Sequence, residues 1–143
     1  MVLPNTRYRT QRQWSAIAFL VQKMTKTTTQ NFSGTMPVQF VGFGPDASTP
    51  DTVVVSDALQ VTGSGMATIV VDLTGGTGNA TLTIEVRVNG VSKTPTGSIS
   101  TGTTSFTVPS VALSHGDLIT LWCIARSGVQ RNVTAASVTV VPL

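Results

Sequence analysis

The chain's single histidine stands in Ser114-His115-Gly116-Asp117, the one place where a hydroxyl, an imidazole and a carboxyl are immediate neighbours. A catalytic triad needs Ser bonded to His and His bonded to Asp, a geometry assembled from separated chain positions. Four consecutive residues read instead as a tight turn, with Gly116-Asp117 bending the chain ahead of the apolar run 118–125. One histidine and one cysteine leave zinc ligation and cysteine-histidine chemistry without the necessary partners. No acid/base pair or metal cluster stands out, so the expectation is a protein that is not an enzyme.

Other motifs resolve in the same direction. Gly75-Gly76-Thr77-Gly78 resembles a phosphate cradle, but such loops open a helix and commonly carry a lysine. A strand pattern follows here, so the segment is expected to be a hairpin loop. Asp46, Asp51 and Asp57 lie in a loop-rich stretch that offers oxygen ligands for Ca²⁺, yet their spacing is irregular and the expectation is solvated loop carboxylates. Asn31-Phe32-Ser33, Asn79-Ala80-Thr81 and Asn132-Val133-Thr134 match the glycosylation sequon, a coincidence expected in a chain with 24 threonines. Cys123, between Trp122 and Ile124, reads as a small buried hydrophobe. No cofactor and no metal are expected.

Charge points to the N-terminus. Residues 1–26 hold Arg7, Arg9, Arg12, Lys23 and Lys26 and no acid, whereas the remainder holds four bases against six acids. The basic character belongs to an arm, expected over residues 1–22 and followed by one domain over 23–143. Arg7, Arg9 and Arg12 can make bidentate bonds to carboxylates, and Tyr8 and Trp14 can add apolar anchorage. Three arginines and one tyrosine make a weak footprint for nucleic acid, and the domain itself is slightly acidic, so an acidic protein lattice is the expected partner. The apolar run 14–21 is too short to span a bilayer and lacks a small-residue cleavage site, so neither a membrane anchor nor a secretory leader is expected.

The elements that position these residues are strands. Threonine and valine, 24 and 20 residues, suit half-buried pleated surfaces. Residues 14–24 fit either a helical stripe or a strand, and the threonines that follow favour the strand. Period-two alternation then recurs at 38–43, 52–55, 59–61, 66–73, 103–108, 118–126 and 133–141. It is cleanest at 81–88, where Leu82, Ile84, Val86 and Val88 face a core and Glu85 and Arg87 face water or a partner. Asn89-Gly90 closes that run with a pair that tolerates φ > 0 at both positions, the requirement of a two-residue hairpin. Residues 91–100, interrupted by Pro95, read as a loop or edge strand. About ten short strands and no helix after residue 25 imply an antiparallel sandwich.

The order of elements, with "VNG" at 88–90 and "GDLITLW" at 116–122, resembles the jelly roll of tumour-necrosis-factor-like and complement-globular-head domains over about residues 23–143. Those domains often carry an aromatic after the central glycine, where this chain has Met66-Ala67 after Gly65. The resemblance implies an all-β antiparallel jelly-roll sandwich that assembles as a homotrimer and buries one sheet of each protomer. The Thr/Val/Gly-rich, cysteine-poor style with a basic leader is similar to small virion proteins of tailed bacteriophages, especially those of actinobacterial hosts. With only 10% charged residues, the surface also suits packing against other subunits. These readings imply a structural protein on the exterior of a phage particle, made in the host cytoplasm and held to capsid or tail proteins by its arm. The alternative is a module that binds host-surface glycan.

Overall fold

The computed structural model describes residues 17–143. Arg7, Tyr8, Arg9, Arg12 and Trp14 lie outside the described residues.

Among the described residues, twelve strands form two antiparallel sheets. They are β1 (Gln22–Lys26), β2 (Gln30–Phe32), β3 (Val38–Gln39), β4 (Gly44–Pro45), β5 (Val53–Val55), β6 (Ala58–Gln60), β7 (Gly65–Gly78), β8 (Thr81–Val88), β9 (Val91–Ile99), β10 (Gly102–Leu113), β11 (Leu118–Ser127) and β12 (Arg131–Pro142). The first sheet has the order β10-β7-β12-β1-β4, with β2 paired to β12; the second has the order β5-β6-β11-β8-β9, with β3 paired to β11. The chain repeatedly crosses between the sheets, so sequence neighbours such as β7 and β8 lie in opposite layers. No helix among the described residues is long and apolar enough to cross a membrane.

Alternation explains the layers. Ala67, Ile69, Val71 and Leu73 of β7 point inward against Leu82, Ile84 and Val86 of β8, with Ile119, Leu121 and Cys123 of β11 and Val138 and Val140 of β12 completing a dry core. Burying such side chains contributes about 1.5–3 kcal/mol each. β1 opens at Gln22, whose buried amide accepts from the Thr62 N–H at 2.7 Å and donates to the Thr62 carbonyl at 3.0 Å, and Phe19 packs against the core just upstream.

One expectation about strands changes and one open alternative is decided. Gly75 to Gly78 do not form a hairpin loop but continue β7, which pairs there with β10 and β12. The glycines are needed for close approach, because a Cβ on Gly75 would overlap the Ser100 carbonyl. The cost of glycine in a strand is offset by that contact between layers. Arg131 locks the same end: its buried guanidinium donates to the carbonyls of Ala80 and Gly76 and, at 3.1 Å, to the Thr101 hydroxyl. Residues 91–99 are a full edge strand that pairs with β8 on both sides of Pro95, an arrangement an edge tolerates because one side of its ladder is free.

Candidate functional site

The outer face of the first sheet is the candidate site. Inward-facing residues take every second position of β7, so Thr68, Val70, Asp72 and Thr74 turn outward. Cross-strand register extends these into rows: Thr107, Val70, Thr139 and Lys23 form one, and Ser105, Asp72, Ser137 and Thr25 the next. Thr103, Thr74 and Ala135 form the third. The face is therefore broad and made of small and β-branched side chains, and among the described residues of these rows Asp72 is the one acid and Lys23 the one base.

A depression of about 430 Å³ opens at its middle, lined by Thr25, Thr74, Thr103, Ser105, Ser137 and Asp72. Its cause is local. The register of β12 shifts between Val133 and Ala135, and Ala135 offers the outer face only a methyl group. The Asp72 carboxylate receives only a long 3.5 Å bond from the Ser137 hydroxyl and no cation within 4.0 Å among the described residues.

The rim of this face is tied down. Asp46 accepts from the Thr25 hydroxyl at 2.8 Å and from the Ser48 N–H and hydroxyl at 2.9 and 2.5 Å, and Lys23 Nζ stands 3.8 Å from it. The Ser48 bonds, with Thr25 and then Lys23, hold its carboxyl down at about 2. Asp57 accepts from the Gly42 and Phe43 N–H groups at 2.7 and 3.0 Å. Asp46 and Asp57 thus organise separate loops, and among the described residues no group of three or more His, Cys, Asp or Glu converges on a metal position.

The opposite face is arranged differently. Trp122 lies on the outer side of β11, half-buried. Its indole N–H donates to the Thr120 hydroxyl at 2.9 Å and the Arg87 guanidinium lies 4.4 Å from its ring centroid. Arg87 Nε in turn donates to Glu85 at 2.6 Å, and Glu85 is only 7% exposed. Glu85 and Arg87, expected to face water or a partner, are closed onto each other and the indole. Cys123, on the inner side of the same strand, is buried, and burial pushes its thiol up to about 11.

The two turns that punctuate the sequence meet in space. Asn89 and Gly90 take φ of 51° and 79° between β8 and β9, and Gly116 takes 93° ahead of β11. The Asn89 amide donates to Asp117 at 3.0 Å and accepts from the Leu118 N–H at 2.9 Å, while Asp117 also accepts from the Ser114 N–H at 2.8 Å. His115 accepts from the Gly63 N–H at 3.1 Å through Nδ1, and its own N–H donates to the Ser64 hydroxyl at 2.9 Å. Asp117 and His115 therefore serve different loops. The three sequon asparagines also share one end of the molecule: Asn31 donates to Gln130 at 2.6 Å and to Asn132 at 2.7 Å, and Asn79 accepts from the Val129 N–H at 2.9 Å.

Sequence reasoning missed Asp72 and its face. The available signal was the alternation of Thr68, Val70, Asp72 and Thr74 with the buried set, which marks an outward row unusually poor in long polar side chains.

No protein-family model matches the chain, and no curated protein matches it significantly. Solved structures do. The Eiger TNF of S. frugiperda superposes with a TM-score of 0.50 at 9% identity, covering 87% of this chain and 93% of that one. The CBM36-1 domain of a multidomain xylanase from the hindgut metagenome of Trinervitermes trinervoides gives a TM-score of 0.50 at 11% identity, covering 86% and 98%. At such identities the likeness concerns the fold: these strands build a jelly-roll β-sandwich of the kind found in TNF-like domains and in a carbohydrate-binding module.

Proposed function

We propose that this protein is a non-enzymatic structural component on the exterior of a bacteriophage virion. Three copies pack through the outer face of the β10-β7-β12-β1-β4 sheet, and the basic N-terminal arm docks the assembly onto capsid or tail proteins. The observation that carries the assembly is the face itself, a wide surface of Thr, Ser, Val and Ala with one acid and one base. Covering such short and β-branched side chains loses little side-chain entropy, which favours a subunit contact. The phage setting rests on the resemblance in sequence style and on the basic arm. Light scattering on the full chain at micromolar concentration is expected to give three times the 14.9 kDa protomer mass; a persistent monomer would sink the trimer. Deleting residues 1–13 is expected to leave the trimer folded while abolishing association with particles.

A second reading is favoured by one observation. The central depression is lined by hydroxyls and a carboxylate, groups that hydrogen-bond sugars, and its size suits a small ligand. Host-surface glycan would then occupy it. Binding on a glycan array that disappears in Asp72→Ala, with the chain monomeric, would replace the assembly reading with this one.

A further inference from the structure

Among the described residues the strands of the assembly face carry one carboxylate, Asp72, and one ammonium, Lys23, with Asp46 at the rim, and Asp72 and Lys23 are placed to meet between copies rather than within one. Asp72 lies on β7 and Lys23 on β1, on either side of β12, which pairs with both. Asp72 is opposite Ser137 of β12 and Lys23 opposite Thr139, so the two are two strands and two residues apart, about 12 Å between Cα atoms on standard strand spacings. Within one chain Lys23 turns to the rim, where Asp46 lies at 3.8 Å, and retains 31% side-chain exposure. Asp72 is exposed in the middle of the neutral face with only the distant Ser137 hydroxyl.

A carboxylate covered by a subunit contact without a cation carries a heavy desolvation penalty, so a contact over this face has to supply one. Lys23 is the sole base among the described residues of the face. We infer that Asp72 of one copy pairs with Lys23 of the next across this face, a proposal that rests on the self-association argued above. Because the two groups occupy opposite halves of the sheet, the β1 half of one copy meets the β7 half of its neighbour. In the proposed three-fold assembly that contact is head-to-tail and closes into a ring, whereas a two-fold dimer would make the same pair twice. Lys23 then bridges Asp46 of its own chain and Asp72 of the neighbour, and specifies register in a face otherwise built of interchangeable small residues.

The test is a double-mutant cycle on the full chain, with Asp72→Asn, Lys23→Gln and the double variant, read as the self-association constant by analytical ultracentrifugation. Each single change is expected to weaken association about tenfold or more, and the double to be no worse than either single, the sign of direct coupling. The charge exchange Asp72→Lys with Lys23→Asp is expected to regain association that Asp72→Lys alone abolishes, with circular dichroism melts showing that each variant is folded. Losses that simply add in the cycle would overturn the pairing while leaving the assembly intact; the exchange is made in an Asp46→Asn background, so that the new carboxylate at position 23 does not face Asp46, and failure to recover there although folded would overturn it too. A wild-type chain that stays monomeric overturns both the pairing and the assembly on which it rests.

Discussion

The two outer faces of the sandwich use the same strand alternation and end in opposite states. At the centre of the β8/β11 face the polar groups are closed among themselves: Glu85 holds Arg87, Arg87 covers Trp122, and Trp122 donates to Thr120, leaving only Arg126 Nε near the end of β11 without a partner among the described residues. On the β7/β12 face nothing comparable among the described residues closes the centre, and Asp72 stands among hydroxyls and small apolar groups. A face that satisfies itself needs no partner, whereas a flat face with an unpaired charge is stable in water but costly to cover unless the partner brings the countercharge. Under the proposed assembly, the difference gives stability to one face and association to the other.

The strongest way to break this contrast is to place the same charge on both faces. Val70→Glu puts a second carboxylate two residues from Asp72 on the open face, and Thr83→Glu puts one two residues from Glu85 on the closed face. An unpaired interfacial charge costs roughly 3 kcal/mol, so Val70→Glu is expected to weaken self-association about a hundredfold. Thr83→Glu should leave the molecular mass in light scattering unchanged. Equal losses from the two substitutions would erase the distinction between the faces.

The reverse experiment removes a side chain that only the closed face depends on. Trp122→Ala deletes a half-buried indole together with the Arg87 contact and the Thr120 bond, and is expected to cost about 2 kcal/mol in urea unfolding, below the range for a fully buried aromatic. Arg87→Ala strands the nearly buried Glu85 and should cost about 1 kcal/mol. Thr103→Ala on the open face should change stability by less than about 0.5 kcal/mol, as an exposed residue without such contacts. A Thr103 effect as large as that of Trp122 would show that the open face also carries fold stability.

The rim of the open face offers a gentler test through pH. The Asp46 carboxyl is held at about 2, below its ordinary 3.8, mainly by the Ser48 and Thr25 donors. A depressed folded value means that the unfolded chain binds the proton more readily, so this contribution is fully present above about pH 4 and is lost as pH falls toward 2. Carbon-detected NMR should place the Asp46 midpoint near 2, and Asp46→Asn should flatten the acid limb of the stability profile over that interval. A midpoint near 3.8 would mean that the rim is as loosely held as the centre of the face.

Local chemistry explains what was legible in the sequence. Asn89-Gly90 and Gly116-Asp117 announce their turns because φ > 0 is a property of the residues themselves, and alternation at 81–88 fixes the buried set of β8. The bond that joins Asn89 to Asp117 spans 28 residues and has no local signature. Gly75 to Gly78 read as a loop because the glycine requirement comes from Ser100, in another part of the chain. The side of β11 that Trp122 takes was not legible, because Leu118, Trp122 and Ile124 are apolar on its outer side and mask its period. Asp72 belongs to a face only once β7, β12 and β1 are set side by side, an order that alternates across the sequence and cannot be read from any one segment.

The smallest expected signal comes from Cys123, which lies beneath the closed face and reports on it without altering it. Its buried thiol, raised to about 11 from 9.0, is about a hundredfold poorer in thiolate at pH 8 than an ordinary one. Labelling by Ellman's reagent in the native protein should therefore proceed through opening of the second sheet and be complete only in denaturant. Because the raised value stabilises the fold below pH 9 and is lost as pH rises through 11, labelling should accelerate over that interval more steeply than thiolate formation alone requires. Trp122→Ala should speed labelling at pH 8 in proportion to the stability it removes, whereas Val70→Glu should leave the rate of the dissociated protomer unchanged. Acceleration by Val70→Glu in that protomer would mean that the two faces are energetically one unit and that the division between a stabilising face and an associating face is false.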